Sequence, residues 1–328
     1  MPSRRDFLQF AGLGALSAPL GWAQTRQPNL LVMLAGSLPD FALAPGFRGP
    51  NLARFAQESL QFERAYVACP QTGPSQASLL SGRFPLPGDK TTFTQVLKDA
   101  GYQTAMLGDW HLGGAQKDGD TGAAVDFMKQ TRRSPFSLLV AWQPGDGASI
   151  DDYAGQLLTA ITDLKLKNNT ITVFTSDHGY GSGPLEPTVR IPLMLRFPPR
   201  LDPGLRAGVL ASTVDLAPTL LALCGVAAPE SMQGRDLTRE QPQAVYAMGG
   251  LGTAGEWRML VRGLDKLVVD RDQNITHLFN LGVDPDEMDN HARDSAFELK
   301  RDELQALMKD WMRRTSDGFD PSGLKRRA

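Results

Sequence analysis

The chain has 328 residues, of which 41% are hydrophobic and 21% charged, and this is enough apolar material for a sizeable core. Its 34 lysines and arginines nearly balance its 36 aspartates and glutamates. The net charge of −2 therefore excludes a basic protein built to bind nucleic acid or an acidic membrane surface. Two cysteines, Cys69 and Cys224, exclude a disulfide framework and form either one disulfide or two buried thiols.

The first 23 residues have the pattern of an export signal. Ser3–Leu8 contains an arginine pair, an uncharged apolar run follows from Phe10 to Leu20, and Gly21–Ala23 has the small-x-Ala form of a cleavage site. The alternative is a buried helix that happens to begin with two arginines, but the position at the N-terminus favours export. We therefore expect residues 1–23 to be a twin-arginine signal peptide and the mature protein to be periplasmic or secreted. No later apolar run has the length of a membrane span.

Between residues 28 and 224, continuous apolar runs bounded by turn residues alternate with helical patterns. Such runs are typical of strands that are buried on both faces of a parallel sheet. The alternation predicts an α/β domain over residues 24–240, with a mostly parallel central sheet sandwiched by helices and ligands at the carboxyl ends of the strands. The predicted strands are 28–35, 103–107, 136–142, 170–175 and 191–197, and the predicted helices are 51–60, 92–100, 150–166 and 214–224.

From residue 244 onward the pattern changes. Short strands at 257–262, 266–270 and 277–280 predict an antiparallel sheet, and the segment 296–313 predicts an amphipathic helix. We expect a small C-terminal α+β subdomain over residues 241–328.

The stretch Cys69–Arg83, with the sequence CPQTGPSQASLLSGR, is the most informative motif. Gly73 and Pro74 predict a turn and Ser75 a helix N-cap, and the free N–H groups of a helix N-terminus favour anions. The stretch resembles the nucleophile segment of sulfatases, Cys (or Ser)-x-Pro-Ser-Arg-x-x-x-Leu-Thr-Gly-Arg, in which the Cys or Ser is oxidised to formylglycine. The residues that match in register are Pro74, Ser75, Leu80, Gly82 and Arg83.

Six further segments resemble the same family, in the same order along the chain. The resemblance implies the sulfatase fold of the alkaline-phosphatase superfamily over almost the whole mature chain. It also implies a site for a sulfate ester with a divalent cation, usually calcium, held by carboxylates. The segments are 28–35, 105–113 (AMLGDWHLG), 174–179 (FTSDHG), 190–196 (RIPLMLR), 214–221 together with 232–237, and 277–290 (HLFNLGVDPDEMDN).

The nucleophile and the groups that contact sulfate depart from the family pattern. Thr72 stands at the nucleophile position, Gln76 replaces an arginine, and Asp109 replaces a lysine. A carboxylate in place of a cation repels sulfate, because like charges a few ångströms apart repel each other by about 1 kcal/mol or more. His111 is the remaining candidate for a catalytic base, and the alternative is that it packs beside Trp110 and hydrogen-bonds within the core.

The metal ligands implied by the resemblance are depleted as well. Gly36 and Ser37 replace an aspartate pair, and only Asp177 and His178 remain. Since hard cations require several oxygen ligands, we expect no bound cofactor. If Asp177 and His178 hold any metal, we expect it to be weakly bound Ca²⁺. The alternative role for Asp177 is to cap the turn that follows its strand.

Three functions fit these substitutions. The first is a sulfatase-like protein with lost or strongly impaired catalysis that keeps the fold for binding or assembly. The second is a hydrolase of the phosphodiesterase type that uses Thr72, and the third is a sulfatase that acts poorly or on an unusual ester. The resemblance implies a sulfated or phosphorylated small molecule or glycan as the ligand, and the sequence leaves the oligomeric state open.

Replacing Arg4 and Arg5 with lysine should block export, because the twin-arginine route reads the arginine pair. Cell fractionation and immunoblotting should then detect an uncleaved precursor in the cytoplasm. Arg26→Lys, beyond the predicted cleavage site, is the matched control and should leave export intact. Mature protein of the double variant outside the cytoplasm would contradict the assignment.

Overall fold

The computed structural model describes residues 27–40, 49–86, 88, 91–111, 121–131, 133–143 and 149–318. The predicted signal peptide lies outside these residues. Among them, Cys69 and Cys224 are both buried and both free thiols. No helix in the described part of the chain is long and apolar enough to cross a membrane.

The main sheet has seven strands, which are β1 (Asn29–Ala35), β2 (Leu60–Tyr66), β3 (Gln103–Gly108), β4 (Phe136–Trp142), β5 (Thr170–Ser176), β6 (Arg190–Arg196) and β7 (Arg206–Ser212). Their order across the sheet is β3-β4-β1-β5-β6-β2-β7. Strands β3, β4, β1 and β5 are parallel neighbours, β6 is antiparallel to both β5 and β2, and β7 is parallel to β2. The predicted α/β class with a mostly parallel sheet is confirmed.

Helices cover both faces of the main sheet. They are α1 (Pro50–Gln57), α2 (Thr72–Ser81), α3 (Phe93–Asp99), α4 (Thr121–Thr131), α5 (Ser149–Asp163), α6 (Glu186–Val189) and α7 (Leu216–Leu223). Side chains of β1 alternate between the faces, as in any strand. Leu30 and Val32 belong to the apolar core formed with α2, α3 and α7, whereas Leu31 and Met33 belong to the core formed with α1, α4 and α5. This burial on both faces explains the continuous apolar sequence of β1.

Strands β2 and β7 and helices α4 and α6 were not predicted from the sequence. Strand β2 contains Glu63 and Arg64 at a bulge, where the pairing with β6 shifts around Pro192. Proline has no N–H for the ladder, so the pairing is interrupted there. The polar residues at the bulge break the apolar run that identifies a buried strand.

The second sheet contains four antiparallel strands, β8 (Ala244–Gly249), β9 (Trp257–Arg262), β10 (Asp265–Asp270) and β11 (Ile275–Asn280), in the order β11-β10-β9-β8. Helix α8 (Glu298–Thr315) packs on this sheet through Leu304, Met308 and Met312. The predicted antiparallel sheet and helix are confirmed, and β8 was missed. The division into domains at residue 240 stays a prediction.

A buried ion cluster joins the second sheet to the main sheet. Lys266 on β10 is fully buried, and its Nζ lies 3.1 Å from Oε1 of Glu186 and 2.6 Å from Oε1 of Glu287. The backbone N–H of Glu186 donates to the Glu287 carboxylate at 2.6 Å. Burial raises the pKa of Glu287, and the nearby Lys266 opposes that shift. Nη1 of Arg190 lies 3.8 Å from Oε2 of Glu186 and supplies a second cation for the two carboxylates.

Lys266→Met should lower the free energy of unfolding by about 3–5 kcal/mol, because it leaves the buried Glu287 carboxylate without its cation and leaves Glu186 with Arg190 at 3.8 Å. Urea denaturation of the purified mature chain measures the change. Lys129→Met is the matched control: its ion pair with Asp126 is more than half exposed, and it should change stability by about 1 kcal/mol or less. Equal effects of the two substitutions would contradict a stabilising role for the cluster.

Candidate functional site

The carboxyl ends of the central parallel strands meet at one edge of the main sheet. The N–H of Gly36, after β1, donates to the Trp142 carbonyl oxygen of β4 at 2.7 Å. The N–H of Asp177, after β5, donates to the Ala35 carbonyl oxygen at 3.0 Å, and the N–H of Asp109, after β3, donates to the Ala141 carbonyl oxygen at 3.0 Å. The sheet register therefore brings together the segments that carry the predicted site residues.

Helix α2 connects these loops through one face. Thr72, Ser75 and Gln76 occupy positions i, i+3 and i+4, which lie side by side on a helix. The Ser75 hydroxyl donates to the Asp177 carbonyl oxygen at 2.5 Å. Gln76 donates from Nε2 to the Asp109 carbonyl oxygen at 3.2 Å, and its Oε1 accepts the His111 N–H at 2.8 Å. The buried Gln76 side chain thus positions the loop after β3.

The prediction that Ser75 is a helix N-cap is wrong, because α2 begins at Thr72 and Ser75 lies inside its first turn. The N–H of Ser75 donates to the Gln71 carbonyl oxygen at 2.8 Å and so already belongs to the helix. Proline at position 74 is compatible with this earlier start, since the first turn of a helix needs no N–H at that position. Thr72, at the nucleophile position, is therefore the first residue of α2.

Thr72 and His178 form a hydrogen-bonded pair. Oγ1 of Thr72 lies 3.2 Å from Nε2 of His178, and Nδ1 of His178 lies 2.7 Å from the Gly179 carbonyl oxygen. A carbonyl oxygen can only accept, so Nδ1 carries a proton, and in the neutral ring Nε2 accepts the proton of the Thr72 hydroxyl. The His178 ring is mostly buried, and Thr72 is partly exposed.

The Asp177 carboxylate is buried and partly satisfied by backbone groups. Its Oδ1 accepts the N–H of His178 at 2.7 Å and the N–H of Ser37 at 2.9 Å. Within the described part of the chain its Oδ2 is buried and has no hydrogen-bond partner. Burial raises the pKa of Asp177, and His178 and the two backbone donors oppose that shift. Asp177 thus caps its own turn, which was the alternative role considered for it.

Gly36 and Ser37 present no carboxylate to Asp177, and the space beside Gly36 is occupied by the Gln143 side chain. A Cβ atom added at Gly36 would lie 2.6 Å from Oε1 of Gln143, so the Gln143 side chain fills the space where a larger residue would begin. Ser37 has a φ of 50°, which lies in the left-handed region, and this turn aims its N–H at Asp177. Gly36 and Ser37 therefore offer Asp177 a backbone donor and no second carboxylate, and Asp40 later in this loop is paired with Arg190 at 3.4 Å.

His111 and Asp109 lie on the exposed side of the loop after β3. Nε2 of His111 is 3.4 Å from Oδ1 of Asp109, and both side chains are about half exposed. His111 lies against the start of α2: a Cβ added at Gly73 would lie 3.6 Å from the His111 carbonyl oxygen and 3.8 Å from its Cβ. The imidazole nitrogen hydrogen-bonded to Thr72 belongs to His178, so the prediction that His111 is the remaining candidate base overlooked a second histidine.

The donor set does not fit a calcium ion. Calcium requires six to eight oxygen ligands, several of them carboxylate. Asp177 supplies one free oxygen, His178 is hydrogen-bonded through both ring nitrogens, and Gly36 and Ser37 bring no carboxylate. Across the described residues no cluster of three or more His, Cys, Asp or Glu side chains could hold a metal ion.

The segments 214–221 and 232–237, which also carry the resemblance, support α2. Asp215 accepts the N–H groups of Ser212 and Arg235, each at 2.8 Å, which fixes the loop 232–237. The Gly82 carbonyl oxygen, at the C-terminus of α2, accepts the N–H of Gln233 at 2.8 Å. These motifs hold the helix in place.

Comparisons with known proteins agree with this arrangement. The family model described as Sulfatase matches residues 28–138, and the model of the C-terminal part of N-sulphoglucosamine sulphohydrolase matches residues 184–245. N-acetylgalactosamine-6-sulfatase of Canis lupus familiaris is 25% identical and aligns with 70% of this chain and 68% of its own length. N-acetylglucosamine-6-O-sulfatase of Bacteroides thetaiotaomicron is 21% identical, over 91% of this chain and 88% of its own.

Solved structures share the fold. A structure described as being in complex with its substrate D-glucosamine-2-N,6-O-disulfate has a TM-score of 0.81 at 18% identity, covering 92% of this chain and 100% of that one. A 2-O GAG sulfatase has a TM-score of 0.74 at 18% identity, covering 92% and 95%. With the two family models and the ordered motifs, these relatives establish that the chain belongs to the sulfatase family of the alkaline-phosphatase superfamily.

Proposed function

We propose that this chain is an exported sulfatase-family protein whose hydrolysis of sulfuric esters is lost or strongly impaired, and that it keeps the fold for binding or assembly. The observation that carries the proposal is the loop after β1, where Gly36 and Ser37 replace paired carboxylates and Ser37 gives Asp177 a backbone N–H. Without that pair, a cation has too few ligands to be held in the site. A bound cation is a main source of catalysis in such sites, because it acts as the Lewis acid that polarises the sulfate ester.

The residue at the nucleophile position supports the same conclusion. Oxidation of a threonine side chain gives a ketone, whereas oxidation of cysteine or serine gives an aldehyde. The hydrate of a ketone is more crowded and therefore a poorer nucleophile. Gln76 and Asp109 stand where the family pattern has an arginine and a lysine. The loss of one such electrostatic group typically costs about 100- to 1,000-fold in rate.

The names of the relatives support one class of ligand for this chain. Their names include N-acetylgalactosamine-6-sulfatase and N-acetylglucosamine-6-O-sulfatase, and one related structure contains D-glucosamine-2-N,6-O-disulfate. We propose a sulfated or phosphorylated small molecule or glycan for this chain. The N-terminus of α2 and the half-exposed His111 are the groups that would contact the anion. Export rests on the arginine pair and apolar run of residues 3–20.

The alternative is an active hydrolase of the sulfatase or phosphodiesterase type that uses Thr72 or a weakly held metal. The hydrogen bond between Thr72 Oγ1 and His178 Nε2 favours it, because a nucleophile paired with a base is the usual arrangement for covalent catalysis. Against it, the segments 69–76, 109–111 and 177–179 contain two carboxylates and no lysine or arginine.

Calorimetry should detect no stoichiometric calcium binding by the mature chain. Gly36→Asp with Ser37→Asp should introduce measurable affinity, and the further substitution Gln143→Ala should increase it, because it removes the side chain that a Cβ at position 36 would meet. Gln143→Ala alone is the control and should bind no calcium. Tight binding by the unmodified protein would mean that other residues supply the ligands.

The proposal as a whole is tested by measuring binding and turnover on one protein sample. We expect calorimetry to detect glucosamine 6-sulfate and not glucosamine. With 4-nitrophenyl sulfate, 4-nitrophenyl phosphate and bis-4-nitrophenyl phosphate, in the presence of calcium, magnesium, manganese or zinc, we expect no sulfate turnover and at most trace phosphate turnover.

Two variants sharpen the test. Thr72→Cys with Gln76→Arg and Asp109→Lys should stay inactive, since these changes restore no metal ligand and Gln76→Arg also removes the contacts with the loop after β3. Turnover of a sulfate or phosphate ester that disappears in Thr72→Ala would overturn the proposal in favour of the alternative.

A further inference from the structure

The pair formed by Thr72 and His178 has the geometry of an activated nucleophile. His178 is held by its Nδ1–H bond to the Gly179 carbonyl oxygen, which leaves Nε2 as the acceptor 3.2 Å from the Thr72 hydroxyl. A nucleophile, a base and a third group that orients the base are the three parts of serine-type acyl transfer. Hydrogen bonds of this kind are often long before a substrate is bound.

Neighbouring contacts fix this pair from both sides. Ser75, one turn after Thr72, donates to the carbonyl oxygen of Asp177, and His178 is the next residue. Gly179 cannot be enlarged, because a Cβ there would lie 2.0 Å from the Pro187 carbonyl oxygen. The loop is therefore held against α2, which keeps the imidazole directed at the first residue of the helix.

The start of α2 supplies donors for a developing negative charge. The first N–H groups of a helix have no partner within it. Position 74 is proline and the Ser75 N–H is bonded to Gln71, so Thr72 and Gly73 carry the two N–H groups that remain in this turn. No described residue accepts a hydrogen bond from either of them. Backbone N–H groups beside the nucleophile are the usual components of an oxyanion hole.

For attack by Thr72, as distinct from ligand binding, the charges around the pair favour a neutral ester. A sulfate ester carries a full charge before attack, and the site segments contribute the carboxylates of Asp109 and Asp177 without a lysine or arginine. A carboxylic ester is uncharged in the ground state, and one oxygen becomes negative in the transition state. Two N–H donors suit one oxyanion, whereas the spread charge of a sulfuryl or phosphoryl group requires cations.

We propose that Thr72 and His178 carry out acyl transfer from neutral carboxylic esters, an activity beyond the ligand binding proposed above. Oγ1 of Thr72 bonds to the carbonyl carbon as its proton passes to His178 Nε2. The bond to the alcohol oxygen then breaks, and the alcohol takes that proton. Water attacks the acyl-threonine, gives a proton to Nε2, and releases the carboxylic acid with the Thr72 hydroxyl restored.

The probe is 4-nitrophenyl acetate, with the intact mature chain in a buffer that contains a metal chelator. Mass spectrometry of peptides should locate one acetyl group on Thr72, and 4-nitrophenol release should accompany it. Thr72→Val, which keeps the shape of the side chain, should abolish both signals, and Thr72→Ser should retain them. His178→Gln should slow acetylation by about 100-fold or more, since it removes the base.

Thr162→Val is the matched control, because the Thr162 hydroxyl is exposed and bonded only to the Leu158 carbonyl oxygen of its own helix; its acetylation rate should equal that of the unmodified chain. Circular dichroism confirms that each variant is folded. Equal 4-nitrophenol release from Thr72→Val and the unmodified chain, or acetyl groups only on other residues, would overturn the proposal. Binding of glucosamine 6-sulfate is measured separately, so failure of acetylation with binding retained overturns the acyl transfer alone.

Discussion

Glu186 is the residue on which the arrangement of the site depends. Its carboxylate accepts the Tyr66 hydroxyl at 3.1 Å and the Lys266 ammonium at 3.1 Å, and its backbone N–H is bonded to Glu287. Tyr66 ends the strand that leads into α2, and Glu186 itself follows the loop of Asp177 and His178. One buried carboxylate thus connects both segments that carry the site with the second sheet.

The same contact explains the C-terminal motif DPDEMDN. Asp284 accepts the N–H groups of Met288 and Asp289, and Glu287 has a φ of 56° in the left-handed region, which turns its side chain inward to Lys266. Asn290 accepts the Leu278 N–H and so returns the loop to β11. The motif is therefore a structural element, and its presence indicates the fold independently of catalysis.

Sequence periodicity predicted those elements whose side chains are buried on one or both faces in a simple pattern, such as β1, β4 and β5. It failed where bulges and sheet edges mix polar and apolar residues, as in β2. The site residues came from a resemblance that identifies positions and not contacts. Nothing in the sequence indicates that Gln143 fills the space above Gly36, or that His178 rather than His111 is the partner of Thr72, because both depend on the register of neighbouring strands.

At Ser37 the backbone keeps a left-handed turn although the side chain is not a metal ligand. Aspartate and asparagine adopt this conformation more readily than serine, so the backbone there suits the residue type that the chain lacks. A loop keeps its path when the hydrogen bonds of its main chain are made, as that of Ser37 is with Asp177. Side chains at such positions can change while the turn persists, which makes this edge of the sheet a scaffold that could accept new ligands without refolding.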